Sequence, residues 1–326
     1  MSQTFEQAND RLCALCSSLD LHNIIAPGLP LTLRKRKFKT TMVAAKSRAP
    51  NCHLCQFIID FFRRKVGKEF INVSLGLEVY VYESQYGNEL WLRSTPYNEG
   101  FRNSFDTFGF TMPEQARSQL YPGRVLGNQL DFTLLKQWLR DCEYKHGVPC
   151  NHVTSPLSAI ESVLMVVDVQ KGCLVKLPPN PRYVALSYVW GGVKGNITEE
   201  HNMQERLNAG SFFRLMADLP TVIRDAIMLV KELGEQYLWV DQLCIVQDGD
   251  RKMETLSKMN LIYEHACLTI FAAEGRDANV GLSGVRPNSR NPNQLAACIS
   301  PGIFLIETPD IRHKFTNSKW ATRAWT

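Results

Sequence analysis

No stretch of the 326-residue chain approaches the roughly 20 uninterrupted apolar residues that a bilayer-spanning helix requires, so no membrane span is expected. Met1 to Asp10 is polar and acidic, without the basic and apolar sections of a secretion signal, which points to a cytoplasmic protein. In that compartment the ten cysteines read first as reduced thiols or metal ligands and only second as disulfides. Internal repeats and long low-complexity tracts are missing. So is any His-Glu-x-x-His, which removes the commonest zinc-hydrolase signature. An excess of one charge is lacking too: 37 Lys and Arg stand against 32 Asp and Glu, a net charge of +5. Spread over a chain of this size, that gives no case for a nucleic-acid partner or an anionic membrane. One basic run, Arg34 to Lys37 with Lys39, has no interleaved aromatics and reads as a solvated loop.

What is present suits a globular protein: 44% of residues are hydrophobic and 21% charged, and the length is enough for two domains with separate cores. In the first half, Phe57, Ile58, Phe61 and Phe62 recur at helical spacing within Cys55 to Lys65. Leu77–Ser84 and Glu89–Ser94, joined by a turn-like Gln85 to Asn88, predict a β-hairpin. Asn98 to Gln129 reads as an irregular connection. Asp131 is placed to cap a helix carrying Leu135, Trp138, Leu139 and Cys142 on one face and ended by Gly147. The second half alternates: strands over Tyr183–Trp190, Tyr237–Val240 and Cys267–Ala273 enclose a helix opened by Pro220 and stopped by Gly234, and another from about Asp250 to His265. This rhythm predicts an α/β fold, a parallel sheet with helices on both faces, preceded by a smaller mixed α+β region that contains cysteine pairs. The boundary is expected at the proline-rich Leu177 to Pro181, giving regions 1–178 and 179–326.

The thiols and a histidine are grouped in the first region: Cys13-x-x-Cys16, Cys52-x-x-Cys55, and Cys142 with His146 and Cys150 at four-residue spacing. Two thiolates of a Cys-x-x-Cys turn can grip one zinc ion, and Cys142 and His146 stand one helical turn apart. A structural zinc held by Cys52, Cys55, Cys142 and His146 is expected, with Cys150 as competing ligand. Cys13 and Cys16 are then a second half-site or part of the core, and the alternative for the whole set is buried free cysteine.

Tyr183 to Gly191, Leu219 to Ala226, Tyr237 to Asp248, Met259, Ile262-Tyr263, Ala266, Thr269-Ile270, Gly281 to Val285 and Trp320 to Thr326 follow one another along the second half of the chain. In this order they closely resemble the heterokaryon-incompatibility (HET) domain of filamentous fungi, over roughly residues 179–326. The resemblance implies a self/non-self recognition protein and effector of programmed cell death, an innate-immune role whose partners are other HET or cell-death signalling proteins or further copies of itself. The upstream cysteine pairs also resemble those that often precede HET cores. The HET core in turn looks distantly similar to Toll/interleukin-receptor (TIR) domains, some of which cleave NAD. By that analogy an NAD glycohydrolase and a non-enzymatic signalling adaptor are the alternatives, with NAD as substrate only in the first. The chain departs from the family pattern at Gly249-Asp250-Arg251, and it ends at Thr326 where family members continue with an aromatic residue, Gln and Glu. The domain therefore reads as truncated and NAD cleavage by it as impaired.

In parallel α/β sheets ligands gather at the carboxyl ends of the strands. Trp190-Gly191-Gly192, Asp241 to Cys244 and Ala273-Glu274-Gly275 fall there. Tyr188, Trp190, Gly191, Asp241, Gln247 and Asp248 are thus the ligand-binding candidates, and Asp241 and Arg323 the catalytic ones. Asp241 needs a partner at a buried edge, and Arg224 or Arg323 is in line to supply it. Ser187 lacks the Gly-x-Ser-x-Gly elbow and Cys244 sits in an apolar Leu-Cys-Ile, so neither reads as a nucleophile.

Overall fold

The computed structural model describes residues 11–21, 37–66, 76–84, 87–95, 106–111, 126–147, 150, 156–178, 182–193, 196–300, 303–307 and 315–322. The basic run at 34–36, the hairpin turn at 85–86, most of the 98–129 connection and Arg323 lie outside the described residues. Along the chain the strands are β1 (Lys37–Thr41), β2 (Gly76–Ser84), β3 (Gly87–Thr95), β4 (Asp106–Thr111), β5 (Met165–Asp168), β6 (Cys173–Lys176), β7 (Tyr183–Ser187), β8 (Tyr237–Trp239), β9 (Leu268–Phe271), β10 (Ala296–Ser300) and β11 (Ile303–Glu307). They form two sheets in two compact units, residues 1–126 with 292–309 and residues 127–291 with 310–326.

The first unit holds a six-stranded sheet ordered β1-β2-β3-β4-β11-β10, each neighbouring pair antiparallel. The β2/β3 pair is the hairpin its alternation predicts, with Val79 opposite Leu92. Leu77, Val79, Leu90 and Leu92 point to one buried face, as the two-residue period of a strand dictates. Against them pack the helices Met42–Arg48 and His53–Val66, the second burying Leu54, Phe57, Ile58, Phe61 and Phe62. Asp106–Thr111 is a strand, not part of an irregular connection. Its Asp-Thr-Phe-Gly-Phe-Thr has a glycine in the middle and lacks the β-branched richness of its neighbours, so pairing with β3 and β11 decides its state, not propensity.

The second unit holds a five-stranded sheet ordered β6-β5-β8-β7-β9. β7 runs parallel to both β8 and β9, with Val184 level with Leu238 on one side and Leu268 on the other. β5 and β6 are an antiparallel hairpin added at the β8 edge, so the α/β unit has a mixed sheet, not an all-parallel one. The hairpin lies on the N-terminal side of the Leu177–Pro181 break. It turns on Asp168, fully buried, whose carboxylate accepts from the Gln170 and Lys171 amides and from the Gln236 side chain. Its strands are only four residues each, too short for a clear period.

Helix Thr221–Leu233 behaves as its sequence dictates. Pro220 caps its start, Gly234 ends it at φ 84°, and Val222, Ile223, Ala226, Ile227 and Val230 are buried against the sheet. Asp131 caps Phe132–Tyr144 by accepting from Leu134 N at 3.0 Å. That helix stops at Tyr144, before Gly147, and buries no residue fully; Leu135 packs beside Leu229 and Leu233 while Trp138 is half exposed. The segment expected as one helix from about 250 to 265 is two, Lys252–Ser257 and Met259–Glu264, broken at Lys258. Both pieces turn Leu256, Met259 and Ile262 toward the same core, so the apolar spacing runs through the break unchanged. Met253, by contrast, is 72% exposed. Among the described residues no helix is long and apolar enough to cross a membrane.

Truncating Ile223, which is fully buried, to alanine removes packed methylenes and leaves a cavity, a cost of about 2–5 kcal/mol. Met253→Ala should stay within about 0.5 kcal/mol. Calorimetric unfolding of the two variants checks this: equal melting shifts would contradict the placement of the helix faces.

Candidate functional site

The three parallel strands deliver their following residues to one edge. β7 is buried along its whole length, so the chain must turn as it leaves the sheet, and it does so through Trp190 and two left-handed glycines, Gly191 at φ 65° and Gly192 at φ 76°. A side chain at Gly191 is excluded twice over: by the backbone conformation, and because its Cβ would stand 2.2 Å from Asp277 Cβ in the loop that follows β9. The Ala278 amide donates to the Trp190 carbonyl, tying that loop to the β7 exit.

Asp241 opens the short helix Asp241–Cys244 directly after β8. The Trp190 indole Nε1–H donates to both carboxylate oxygens of Asp241, at 3.1 and 3.0 Å, and the Gln242 amide donates to Oδ1 at 2.7 Å. A half-buried carboxylate held in this way is an oriented acceptor for hydrogen-bond donors or a cation. Arg224 donates instead to Thr221 Oγ1, and Arg323 is outside the described residues. Gln247 folds its side-chain amide back onto the carbonyls of Asp241 and Ile245, closing the loop. Asp248 is exposed and accepts from the Glu200 amide, at the start of helix Glu200–Leu207. Trp190, Gly191, Asp241 and Gln247 are therefore brought together, with Asp248 on the neighbouring turn. Tyr188 is 1% exposed and points inward, its hydroxyl donating to Gln242 Oε1 at 2.9 Å; it braces the site from within the core.

Gln242 was not legible as a site residue, although it is buried and its Nε2 has no hydrogen-bond partner among the described residues. The only sequence signal was an amide inside an apolar run. Thr198 is likewise buried, donating from Oγ1 to the Leu243 carbonyl and accepting from the Gln247 amide. Ser187 is buried and accepts from the Trp320 indole at 2.9 Å, which accounts for a hydroxyl in an apolar strand without any nucleophilic role. Burial pushes the Cys244 thiol up to about 12, the opposite of activation. Asp225, also buried, pairs with Arg286 at 2.8 Å and accepts from the Leu282 amide.

The metal-ligand candidates fall into two groups, not one. Cys52 and Cys55 meet Cys13 and Cys16 in the first unit, all four sulfurs lying within 4.8 Å of one another. Cys142, His146 and Cys150 form a separate, largely exposed triad in the second unit, with Cys150 Sγ 3.6 Å from His146 Nδ1. In the first group, hydrogen bonds from Cys16 and Cys55 push the Cys52 thiol far below its ordinary range, while Cys16 is pushed far above it by the bond to Cys52.

Residues 183–326 match the family described as "Heterokaryon incompatibility protein (HET)". The chain is 36% identical over 102 residues to the "Heterokaryon incompatibility protein 6, OR allele" of Neurospora crassa, an alignment covering 29% of this chain and 15% of that relative. The aligned part thus spans about a seventh of the curated relative's length. No solved structure matches the chain.

Trp190→Phe keeps the ring but deletes the N–H donor to a carboxylate, a loss of about 1.5 kcal/mol in urea unfolding; an unchanged midpoint would contradict the bond. The folded state holds the Cys244 proton more tightly than an ordinary thiol of pKa 9.0, so this contribution to stability is full below pH 9 and disappears as pH rises through about 12. Iodoacetamide at pH 9 should accordingly leave Cys244 unmodified in native protein and alkylate it in urea, as read by peptide mass spectrometry.

Proposed function

We propose, from the match of residues 183–326 to the heterokaryon incompatibility (HET) family, that the chain is a HET-family self/non-self recognition protein and effector of programmed cell death in a filamentous fungus. One observation carries the reading: within the matched residues 183–326, the segments that end β7 and β8 meet in the Trp190–Asp241 contact. We place the working surface there, with Trp190, Gly191 and Asp241 at the strand ends and Gln247 and Asp248 on the following loop. An oriented carboxylate beside an indole and a bare glycine backbone suits a ligand or partner segment that offers hydrogen-bond donors next to a flat or apolar group. On this reading its partners are other cell-death signalling proteins, further copies of the chain included.

The test is inducible expression of the full chain in a filamentous fungus, with dead compartments counted by a vital dye and protein level followed by immunoblot. Wild type should kill. Asp241→Asn, which keeps shape and removes charge, should lower the dead fraction at least about tenfold at equal protein level, the loss expected when one buried or oriented charge is removed from a recognition site. Survival of cells expressing wild type, or full killing by Asp241→Asn, would sink the proposal.

A further inference from the structure

We propose that Cys13, Cys16, Cys52 and Cys55 hold one structural zinc ion, closing the first unit around its N-terminal segment. The four sulfurs belong to two Cys-x-x-Cys turns, each immediately before or within a first helical turn: Cys13 caps Ala14–Ser17, and Cys52 precedes His53–Val66. The turns are locked side by side by a backbone bond from the His53 amide to the Arg11 carbonyl at 2.9 Å. A tetrahedral zinc with sulfur at about 2.3 Å requires its ligands to stand about 3.8 Å apart. Cys16 and Cys55 are 3.6 Å apart, Cys13 and Cys55 4.0 Å, and the full set lies within 4.8 Å. Free cysteines that merely fill a core have no reason to converge on one point from two remote stretches of chain.

The surroundings fit the ion as well. Cys16, Cys52 and Cys55 are at most 1% exposed, so four thiolates with one divalent cation would leave an excess of negative charge in an apolar setting. Arg48 supplies a counter-charge. Its guanidinium lies beside Cys55, with one arm donating to Thr40 Oγ1 at 2.6 Å and its Nε buried without a hydrogen-bond partner. A cation placed there is costly against neutral thiols and stabilising against a metal thiolate cluster. Four protein ligands leave no open position, so the site is structural. What it fixes is the segment carrying Leu12, Leu15, Leu19 and Leu21, which has one short helical turn of its own and packs on the helices Met42–Arg48 and His53–Val66. The triad Cys142, His146 and Cys150 offers three ligands, two of them exposed, and no such enclosure.

The full chain, produced with zinc in the medium and purified without chelator, should contain one zinc per chain by plasma mass spectrometry. A Cys142→Ala, Cys150→Ala double variant should contain the same amount. Exchange into cobalt(II) should give the intense visible bands and sulfur charge-transfer absorption of a tetrahedral tetrathiolate site, and this decides the ligand set on wild-type protein without altering any of the four cysteines. Zinc below about a tenth of an equivalent with no cobalt spectrum, loss of the metal in the double variant, a cobalt spectrum with nitrogen ligation, or a disulfide among the four cysteines would each overturn the assignment.

Discussion

The second unit depends on strand Tyr183–Ser187 being hydrogen-bonded on both edges and buried on both faces. A strand in that position tolerates almost no polar atom that is not paired, and its two polar groups are paired: the Tyr183 hydroxyl donates to the Ile262 carbonyl, and Ser187 accepts from the Trp320 indole. Parallel pairing on both sides forces the strands on either edge to end at the same side of the sheet. Residues far apart in sequence, Trp190, Asp241 and Asp277, are neighbours for that reason alone. The glycine at 191 then follows, because Asp277 comes too close for any side chain.

Around this edge the polar groups form a closed set of bonds that orients the acceptor. The indole of Trp190 and the amide of Gln242 fix the Asp241 carboxylate, Gln247 ties the loop behind it, and Thr198 binds the loop to the segment before helix Glu200–Leu207. The carboxylate is thus held in one orientation by the fold, and in the binding role proposed for it such preorganisation would add affinity without added contacts. Asp225, on helix Thr221–Leu233, likewise fixes the glycine-containing loop after Ala278 by pairing with Arg286 and accepting from the Leu282 amide.

Much of this was legible in the residues. Helix Thr221–Leu233 carries its start, its apolar face and its stop in sequence, and β7, β8 and β9 are short apolar runs bounded by turn signals. The β2/β3 hairpin and the aromatic face of His53–Val66 show equally clear periods. What escaped was decided by partners distant in the chain. The β5/β6 hairpin is too short for periodicity and exists as part of a sheet completed by Tyr237 and Leu238. Asp106–Thr111 is a strand because β3 and β11 flank it. The break at Lys258 leaves no mark on an apolar pattern that serves both helices. Among the cysteines, spacing identified each Cys-x-x-Cys pair, but only the fold shows that the two pairs face each other and that Cys142 and His146 belong elsewhere. Of the site, Trp190, Gly191, Asp241 and Gln247 could be named from strand ends, whereas the inward direction of Tyr188 and the buried amide of Gln242 required coordinates.

Trp190 and Asp241 form one preorganised unit at the edge of the sheet, and the proposed role of that edge depends on it. The most direct measurement is the exchange rate of the Trp190 indole N–H, followed by nitrogen-correlated NMR in wild type and in Asp241→Ala. A resonance protected from solvent exchange in the wild type, and losing that protection in the variant, is the expected result. A Trp190 indole that exchanges as fast as a free one, or is equally protected without the carboxylate, would contradict it.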